Sequence, residues 1–325
     1  MSPPVLDVVD LTTEFALRGG GAARAVDGVS FSLARGEIVG LVGESGSGKS
    51  VTGFSLMGLI DPPGRVAGGS VRLNGAELAG MDAEGLRARR GREIAMIFQD
   101  PVATLNPLLT VGAQMRMALA AHARTPRRAA DDRCAAALAR VGIPAARDRL
   151  AAYPHEFSGG MRQRVAIAIA LLHAPSVVIA DEPTTALDVS VQAQILVEMR
   201  ALAAETGLSL IWISHDLAVV SGFASRILVM YAGRVVEQGP AEAVLRAPRH
   251  PYTRGLIDSL PAAAKPGEPL RQIPGGAPSL GALPPGCAFA PRCPRAAGAC
   301  RAAPPVETRE GARAWRCLFP LEAGA

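Results

Sequence analysis

The sequence predicts an α/β fold with a largely parallel sheet for most of the chain. Two observations support this prediction. Short β-rich runs recur between about residue 6 and residue 246, and segments with helical spacing of apolar residues lie between them. The strand-like runs are Ile38–Val42, Ile94–Phe98, Val177–Ala180, Leu208–Ile213 and Ile227–Tyr231. Strands that alternate with helices form a parallel sheet whose two faces are covered.

Other local patterns add to this core. In Val191–Glu205, apolar residues recur at helical spacing, which predicts a helix. Asn74-Gly75, after Val71 and Leu73, predicts a tight hairpin, and Ala232-Gly233, between two strand-like runs, predicts another. We therefore expect antiparallel strands beside the parallel core. The Ala- and Arg-rich stretch Val111–Leu150 predicts further helices.

The composition changes after His250, where prolines and glycines become frequent. Such a stretch is typical of a linker that leads to a small appendage. We expect a main domain over residues 5–250, with a helical subdomain at about residues 100–170. A C-terminal extension is expected over residues 251–325.

Composition and charge narrow the function classes. The 325 residues are 49% hydrophobic and 19% charged, as in a folded globular protein. The net charge of +5 suits nucleic acid, anionic lipid or nucleotide phosphate, but only 4% of residues are aromatic and able to stack on single-stranded bases. The start of the chain does not resemble a signal peptide, and the longest apolar stretch, Val165–Ala180, is interrupted by His173 and Pro175. We expect a cytoplasmic protein without a membrane span.

A phosphate-binding loop is the most specific motif. It follows the strand Ile38–Val42, opens a helix that continues through Val51, and matches G-x-x-x-x-G-K-[ST]. Its residues are Gly43, Glu44, Ser45, Gly46, Ser47, Gly48, Lys49 and Ser50. The glycines let backbone N–H groups surround the phosphates of ATP, Lys49 reaches the β- and γ-phosphates, and Ser50 ligates Mg²⁺. Lys49 is one of only two lysines in the chain, with Lys265.

Two carboxylates follow the apolar strand Val177–Ala180. The carboxyl ends of parallel strands carry the site in such folds, so Asp181 and Glu182 are expected to act on the phosphates. Asp181 suits Mg²⁺ binding, and Glu182 suits proton abstraction from the attacking water. Solvated end caps of a strand are the alternative interpretation.

Further elements follow in a characteristic order. Gln99 follows a strand, Ser158-Gly159-Gly160 opens a helix, Ala186-Leu187-Asp188 follows the carboxylates, and His215 follows the next strand. This set resembles the Q-loop, signature loop, D-loop and switch histidine of ABC-type ATPases. The resemblance implies an ABC-type P-loop fold, with an antiparallel β subdomain and a helical subdomain. Phe15 is the expected adenine-stacking aromatic.

Finer sequence features resemble one branch of that family, the oligopeptide and dipeptide importer ATPases. They are Phe98–Pro101 with Leu105–Pro107, Ser158–Arg164, Ala180–Asp188, and the tail Pro285–Cys287 with Pro291–Cys293. The resemblance covers residues 6 to 320. Phe157 and Met161 stand where Leu and Gln are commoner in the wider family, and this variant fits the peptide-importer branch.

The resemblance also implies a mechanism and partners. Two ATPase subunits would sandwich two ATPs, each held by the Lys49 loop of one subunit and the Ser158-Gly159-Gly160 loop of the other, with Asp188 beside it. Glu182 would activate water, His215 would hold the γ-phosphate, and Gln99 would contact Mg²⁺ and signal to the membrane subunits. The expected partners are two membrane-spanning permease subunits, a second and different ATPase subunit, and indirectly an extracytoplasmic solute-binding protein, with no nucleic acid. The expected location is the cytoplasmic face of the cell membrane, as a peripheral subunit.

Four cysteines occupy the tail, namely Cys287, Cys293, Cys300 and Cys317. Disulfides are not expected in the cytoplasm, and a CxxC zinc motif is absent from the sequence. Three states remain open, which are a [4Fe–4S] cluster, reduced thiols in a packed appendage, and zinc. The cluster is implied by similarity to tails of some peptide-importer ATPases.

Three other functions compete with peptide import. One is a soluble ABC-type ATPase that acts on DNA or ribosomes, but such members carry a long insertion or a second ATPase domain. Another is a redox or metal sensor with a secondary ATPase. The third keeps the ATPase and changes the cargo to nickel, glutathione or another small solute.

Overall fold

The computed structural model describes residues 3–185, 187–264, 267 and 269–322. Ala186 of the predicted D-loop, Lys265 and Pro266 of the predicted linker, and the end of the predicted extension at 323–325 lie outside the described residues. The described chain divides into two compact units. One contains Ala34–Glu37 and Gly80–Ile211 with the start of the chain, and the other contains Leu6–Leu33, Ile38–Ala79 and the chain from Trp212 onward. We call them the helical unit and the phosphate-loop unit.

Strands and helices alternate along much of the chain. The strands are β1 (Leu6–Ala16), β2 (Ala22–Leu33), β3 (Ile38–Val42), β4 (Gly64–Leu73), β5 (Ala76–Glu77), β6 (Ile94–Ile97), β7 (Val177–Asp181), β8 (Ser209–Ser214), β9 (Arg226–Tyr231), β10 (Arg234–Pro240), β11 (Thr308–Glu310) and β12 (Arg313–Trp315). The helices are α1 (Lys49–Met57), α2 (Ala83–Arg89), α3 (Pro101–Thr104), α4 (Val111–Ala120), α5 (Arg127–Arg140), α6 (Ala146–Arg149), α7 (Gly159–Leu171), α8 (Val189–Thr206), α9 (Leu217–Ser221), α10 (Ala241–Arg246), α11 (Pro251–Asp258) and α12 (Gly298–Ala302). Short 3₁₀ turns lie at Pro154–Glu156, Pro261–Ala263 and Ala290–Arg292.

An antiparallel sheet of the phosphate-loop unit has the strand order β2-β1-β4-β5. Leu6 of β1 pairs with Leu33 of β2 on one side and with Leu73 of β4 on the other, and all three are fully buried. Burying each such side chain contributes about 2 kcal/mol. The predicted hairpin at Asn74-Gly75 is confirmed, because both residues have positive φ and join β4 to the antiparallel β5.

The phosphate-loop unit also contains a mixed arrangement of strands around β3. β3 pairs in parallel with β9, and β9 pairs with the antiparallel β10 across the predicted Ala232-Gly233 turn. Two short strands from the C-terminal extension continue outward, because β12 pairs with β10 and β11 with β12. The last four residues of β3 are buried, so the phosphate loop begins where this buried strand ends, after Val42.

The helical unit contains the parallel pair β6 and β7. Every residue of these two strands is buried, and the chain leaves each at its carboxyl end toward predicted site residues. Helices α3 to α7 lie between the two strands in sequence. The division between the units falls within β8, between Ile211 and Trp212.

Side-chain caps explain where the functional helices begin. Ser158 caps α7 by accepting a hydrogen bond from the Met161 N–H, and Asp188 caps α8 by accepting one from the Val191 N–H. Capping places the start of α7 at Gly159, directly after Ser158. Within the described residues, no helix is long and apolar enough to span a membrane.

Candidate functional site

The phosphate loop joins β3 to α1 inside the phosphate-loop unit. Gly48 precedes α1 with φ of 102°, a left-handed conformation that favours glycine. A Cβ at Gly48 would lie 2.2 Å from the Ala25 carbonyl oxygen, and one at Gly43 would lie 2.2 Å from the Met230 carbonyl oxygen. Backbone therefore packs directly against the loop at both positions, and larger residues would change its path.

Lys49 lies inside the curve of this loop and is 4% exposed. Its ammonium donates hydrogen bonds to the carbonyl oxygens of Gly43, at 2.8 Å, and of Glu44, at 3.0 Å. The Ser47 hydroxyl is buried and, among the described residues, has no hydrogen-bond partner. A buried hydroxyl without a partner beside a buried ammonium fits an anionic ligand such as a phosphate.

Glu44, in the same loop, is held by two residues of the later chain. Its N–H donates to the Tyr252 hydroxyl at 2.8 Å. Its carboxylate accepts two hydrogen bonds from the Arg292 guanidinium, at 2.6 and 2.9 Å. Sequence reasoning assigned no role to Tyr252 or Arg292, because nothing in the local pattern shows contacts over 208 and 248 residues of sequence separation.

The carboxyl end of β7 carries the predicted acids, in the helical unit. Asp181 is 3% exposed, and Glu182 follows with φ of 45°. A left-handed conformation at a non-glycine residue costs about 1–3 kcal/mol, and such strain clusters at functional sites. The Glu182 carboxylate accepts hydrogen bonds from Gln99, at 3.4 Å, and from the Thr185 hydroxyl, at 3.2 Å. The structure thus brings the predicted base and the predicted Q-loop glutamine together.

The signature loop exposes the N-terminus of α7. Ser158 and Gly159 are exposed, Gly160 is half-buried, and Phe157 is 2% exposed just before them. The buried ring anchors the loop while the helix N-terminus faces solvent. A helix N-terminus with accessible N–H groups suits an anionic partner group.

The remaining predicted residues lie at element ends. Asp188 is exposed, and hydrogen bonds from the Ser190 hydroxyl and the Val191 N–H hold its pKa below the ordinary value. His215 is exposed and directly follows β8. Phe15 lies in β1, half-buried, and its ring closely approaches Gly64 of β4.

Comparison with known proteins places this chain in a family. Residues 26–185 match the family model described as ABC transporter, and residues 236–300 match the oligopeptide/dipeptide transporter C-terminal region. A putative peptide import ATP-binding protein of Brucella abortus is 50% identical over 97% of this chain and 94% of its own length. The oligopeptide transport ATP-binding protein OppD of Escherichia coli is 47% identical over 98% of this chain and 94% of its own length.

The chain belongs to the oligopeptide/dipeptide family of ABC transporter ATP-binding subunits. Its fold agrees with this assignment. A solved ATP-binding cassette in a dimeric post-hydrolysis state with ADP and Pi superposes with a TM-score of 0.64 at 27% identity, over 73% of this chain and 98% of that one. The predicted family, ABC-type fold and ATPase class are confirmed.

The four tail cysteines of this ABC subunit lie in one region of the phosphate-loop unit. They line a common small cavity of about 20 Å³ with Phe289 and Phe319. Burial raises the pKa of Cys287 and Cys293, and raises that of Cys317 to about 11. Across the described part of the chain, no group of three or more His, Cys, Asp or Glu residues is arranged to hold a metal ion. The structure thus does not show the predicted iron–sulfur cluster, although the four thiols share one cavity.

Proposed function

We propose that this chain is the ATP-hydrolysing subunit of an importer for dipeptides or oligopeptides. A single observation carries the proposal. One chain combines the phosphate loop, with its buried Lys49 ammonium and a buried Ser47 hydroxyl that has no partner among the described residues, and a C-terminal region of the oligopeptide/dipeptide type. The relatives whose names specify peptide import match almost the whole chain.

The proposed roles follow from the chemistry of each side chain. The N–H groups of the loop from Gly43 to Val51 and the Lys49 ammonium bind the phosphates. Ser50, Gln99 and Asp181 are the residues that would hold Mg²⁺, which would neutralise charge on the phosphate oxygens. Glu182 orients the attacking water and takes its proton, since its carboxylate is half-exposed and already within reach of Gln99.

Other roles concern the γ-phosphate, the adenine and a second subunit. His215 holds the γ-phosphate, and Phe15 stacks on the adenine. The exposed N-terminus of α7, with Ser158, Gly159 and Gly160, binds the ATP held by a second ATPase subunit, and Asp188 lies at the same interface. ATP then favours the closed pair, and hydrolysis reverses that preference.

The proposed assembly contains partners beyond this chain. Two permease subunits cross the membrane, and this subunit binds them at the cytoplasmic face. The second ATPase subunit is a different chain, which makes a heterodimer, and an extracytoplasmic binding protein delivers the cargo. Within the chain, we propose residues 5–250 as the ATPase domain, with its helical subdomain at about 100–170, and residues 251–325 as the extension.

The finer proposal for the tail is a [4Fe–4S] cluster on Cys287, Cys293, Cys300 and Cys317. Its support is the common cavity that the four side chains line, and the ligands would have to move together to bind the cluster. Iron and sulfide analysis with absorption spectra after anaerobic purification tests it. Cys134→Ser is the control, because Cys134 is buried in α5, in the helical unit. A folded wild-type protein without iron would exclude the cluster and favour reduced thiols.

The proposed function is tested by ATPase turnover of the chain alone and together with the products of its neighbouring genes. In Glu182→Gln, we expect ATP turnover to be lost and a stable dimer to accumulate in the presence of ATP. The variant still binds ATP but cannot take the proton from the attacking water. The exposed Glu84, changed to Gln, serves as the matched control. Peptide uptake by the reconstituted assembly tests the cargo. Full turnover in Glu182→Gln would contradict the assignment of the base.

A further inference from the structure

The C-terminal extension makes a direct ion pair with the phosphate loop. Arg292 ends the 3₁₀ turn Ala290–Arg292, and its side chain is 6% exposed. Both outer nitrogens of its guanidinium donate to the Glu44 carboxylate, at 2.6 and 2.9 Å. Such a two-pronged pair fixes orientation as well as distance. Both residues belong to the phosphate-loop unit, so the contact lies within one compact body.

The guanidinium of Arg292 is held in place by further contacts. Its Nε donates to the Pro274 carbonyl oxygen at 2.8 Å, and Nη1 lies 3.3 Å from the Tyr231 hydroxyl. The rings of Tyr231 and Phe289 lie 5.9 and 6.0 Å from its central carbon. The charge therefore has a defined position opposite Glu44, unlike a mobile surface arginine.

Glu44 presents an electrostatic problem for a loop that binds polyphosphate. A carboxylate within the loop repels the phosphate charges, and the repulsion is strong where water is partly excluded. The Glu44 side chain is 28% exposed, so solvent screens it only in part. Pairing with Arg292 neutralises the carboxylate and leaves the loop N–H groups and Lys49 to set the local charge.

We propose that Arg292 is a positioning residue of the ATP site, whose guanidinium pairs with the Glu44 carboxylate and neutralises it beside the bound phosphates. The C-terminal extension is then part of the nucleotide site and not only an appendage. Tyr252 acts on the same residue through the main chain, because its hydroxyl accepts the Glu44 N–H. This inference rests on the proposed function, since it requires that the Lys49 loop binds ATP.

The test is a charge-rescue experiment on the full chain. Equilibrium binding of a fluorescent ATP analogue with Mg²⁺ is measured for wild type, Arg292→Ala, Glu44→Gln and the double variant. We expect Arg292→Ala to weaken binding about tenfold, a size typical of coupled contacts. Glu44→Gln should bind at least as tightly as wild type. The double variant should return to within about threefold of wild type, because the uncompensated carboxylate is gone.

Controls separate this inference from folding and from the proposed function. Arg301→Ala removes an exposed arginine of the same extension and should leave affinity unchanged. Arg292→Lys keeps the positive charge but not the two-pronged hydrogen bonding, and its affinity for the ATP analogue should fall about threefold. This variant replaces Arg292→Ala in the comparison if Arg292→Ala does not fold. Thermal unfolding confirms that each variant is folded at the binding temperature.

Two outcomes would overturn the inference. One is a folded Arg292→Ala that binds as tightly as wild type. The other is a double variant that binds as weakly as Arg292→Ala, since a purely structural tether cannot be rescued by removing the charge on Glu44. Lys49→Ala shows whether the proposed function fails as well as this inference. If it binds the analogue like wild type, the phosphate loop does not bind ATP and the proposed function fails as well.

Discussion

At the residue scale, Gly48 is the position where the phosphate loop tolerates least change. We expect Gly48→Ala to abolish nucleotide binding and to lower the free energy of unfolding by about 1–3 kcal/mol. The new Cβ would meet the Ala25 carbonyl oxygen at 2.2 Å, in a left-handed backbone that alanine adopts at a cost. Gly46→Ala is the matched control, because Gly46 also has positive φ but faces open space. Nucleotide affinity and thermal unfolding are measured, and wild-type affinity in Gly48→Ala would contradict the prediction.

His250 gives the chain a pH-dependent stability. It is 1% exposed, its Nδ1 accepts the Tyr252 N–H at the start of α11, and burial lowers its pKa from 6.5 to about 3. Between pH 6.5 and 3 the unfolded chain therefore binds the proton that the folded chain excludes. Stability is retained above pH 6.5 and falls on acidification, by about 2 kcal/mol between pH 6.5 and 5.

The variant His250→Asn isolates this effect. Asparagine keeps a side-chain acceptor for the helix start and does not titrate. Denaturant unfolding at pH 7 and pH 5 should show a smaller loss of stability in His250→Asn than in wild type. His155→Asn, at an exposed histidine, should behave like wild type. An equal loss in wild type and His250→Asn would show that another group causes the pH dependence.

At the element scale, the short strand β12 attaches to β10 through a buried charge. Glu237 of β10 is fully buried and accepts hydrogen bonds from the N–H groups of Arg249 and His250, and from Arg313 of β12 at 3.0 Å. Arg313→Ala leaves this carboxylate without its cation and should destabilise the chain by about 3 kcal/mol. Unfolding midpoints in denaturant measure the effect.

Rescue distinguishes charge from packing at this strand pair. Glu237→Gln combined with Arg313→Ala should recover most of the lost stability, because a neutral amide oxygen still accepts the two N–H groups. Arg309→Ala in β11 is the control, since Arg309 is exposed and pairs with Glu307 at the surface. A double variant as unstable as Arg313→Ala would show that the arginine acts by packing.

The elements also show what sequence can predict. The predicted strand Ile38–Val42 is confirmed without change, and Val177–Ala180 extends by one residue to Asp181, because long apolar runs mark buried parallel strands directly. The elements of the C-terminal extension are harder to predict from sequence. Helix α11 and strands β11 and β12 lie where prolines and glycines predicted a linker and a small appendage. These elements are short, and partners such as Glu237 and Glu44 stabilise them from distant sequence.

The site shows the same division between local and distant signals. Lys49, Asp181, Glu182 and Gln99 follow strands in motifs of fixed spacing, so their identity is readable from sequence. Arg292 lies in the tail motif Pro291–Cys293 and Tyr252 lies in no motif, but neither pattern indicates a contact with Glu44, which only the folded chain creates.

At the scale of the whole molecule, ATP binding should appear as increased stability of the folded chain. A ligand that binds only the folded state stabilises it by about 2.7 kcal/mol at one hundred times its dissociation constant. For a chain of this size the midpoint of thermal unfolding should rise by roughly 5 °C. The comparison is between ATP with Mg²⁺ and no nucleotide, at equal ionic strength.

Variants of the phosphate loop and of the C-terminal extension should differ in how far ATP with Mg²⁺ raises the midpoint of thermal unfolding. Lys49→Ala should show no rise, since the ammonium that reaches the phosphates is absent. Arg292→Ala should show a reduced rise that recovers at higher ATP concentration, because weaker binding is offset by mass action. Glu182→Gln should keep the full rise, because the base acts after binding. A full rise in Lys49→Ala would place the ATP that stabilises this chain somewhere other than the phosphate loop.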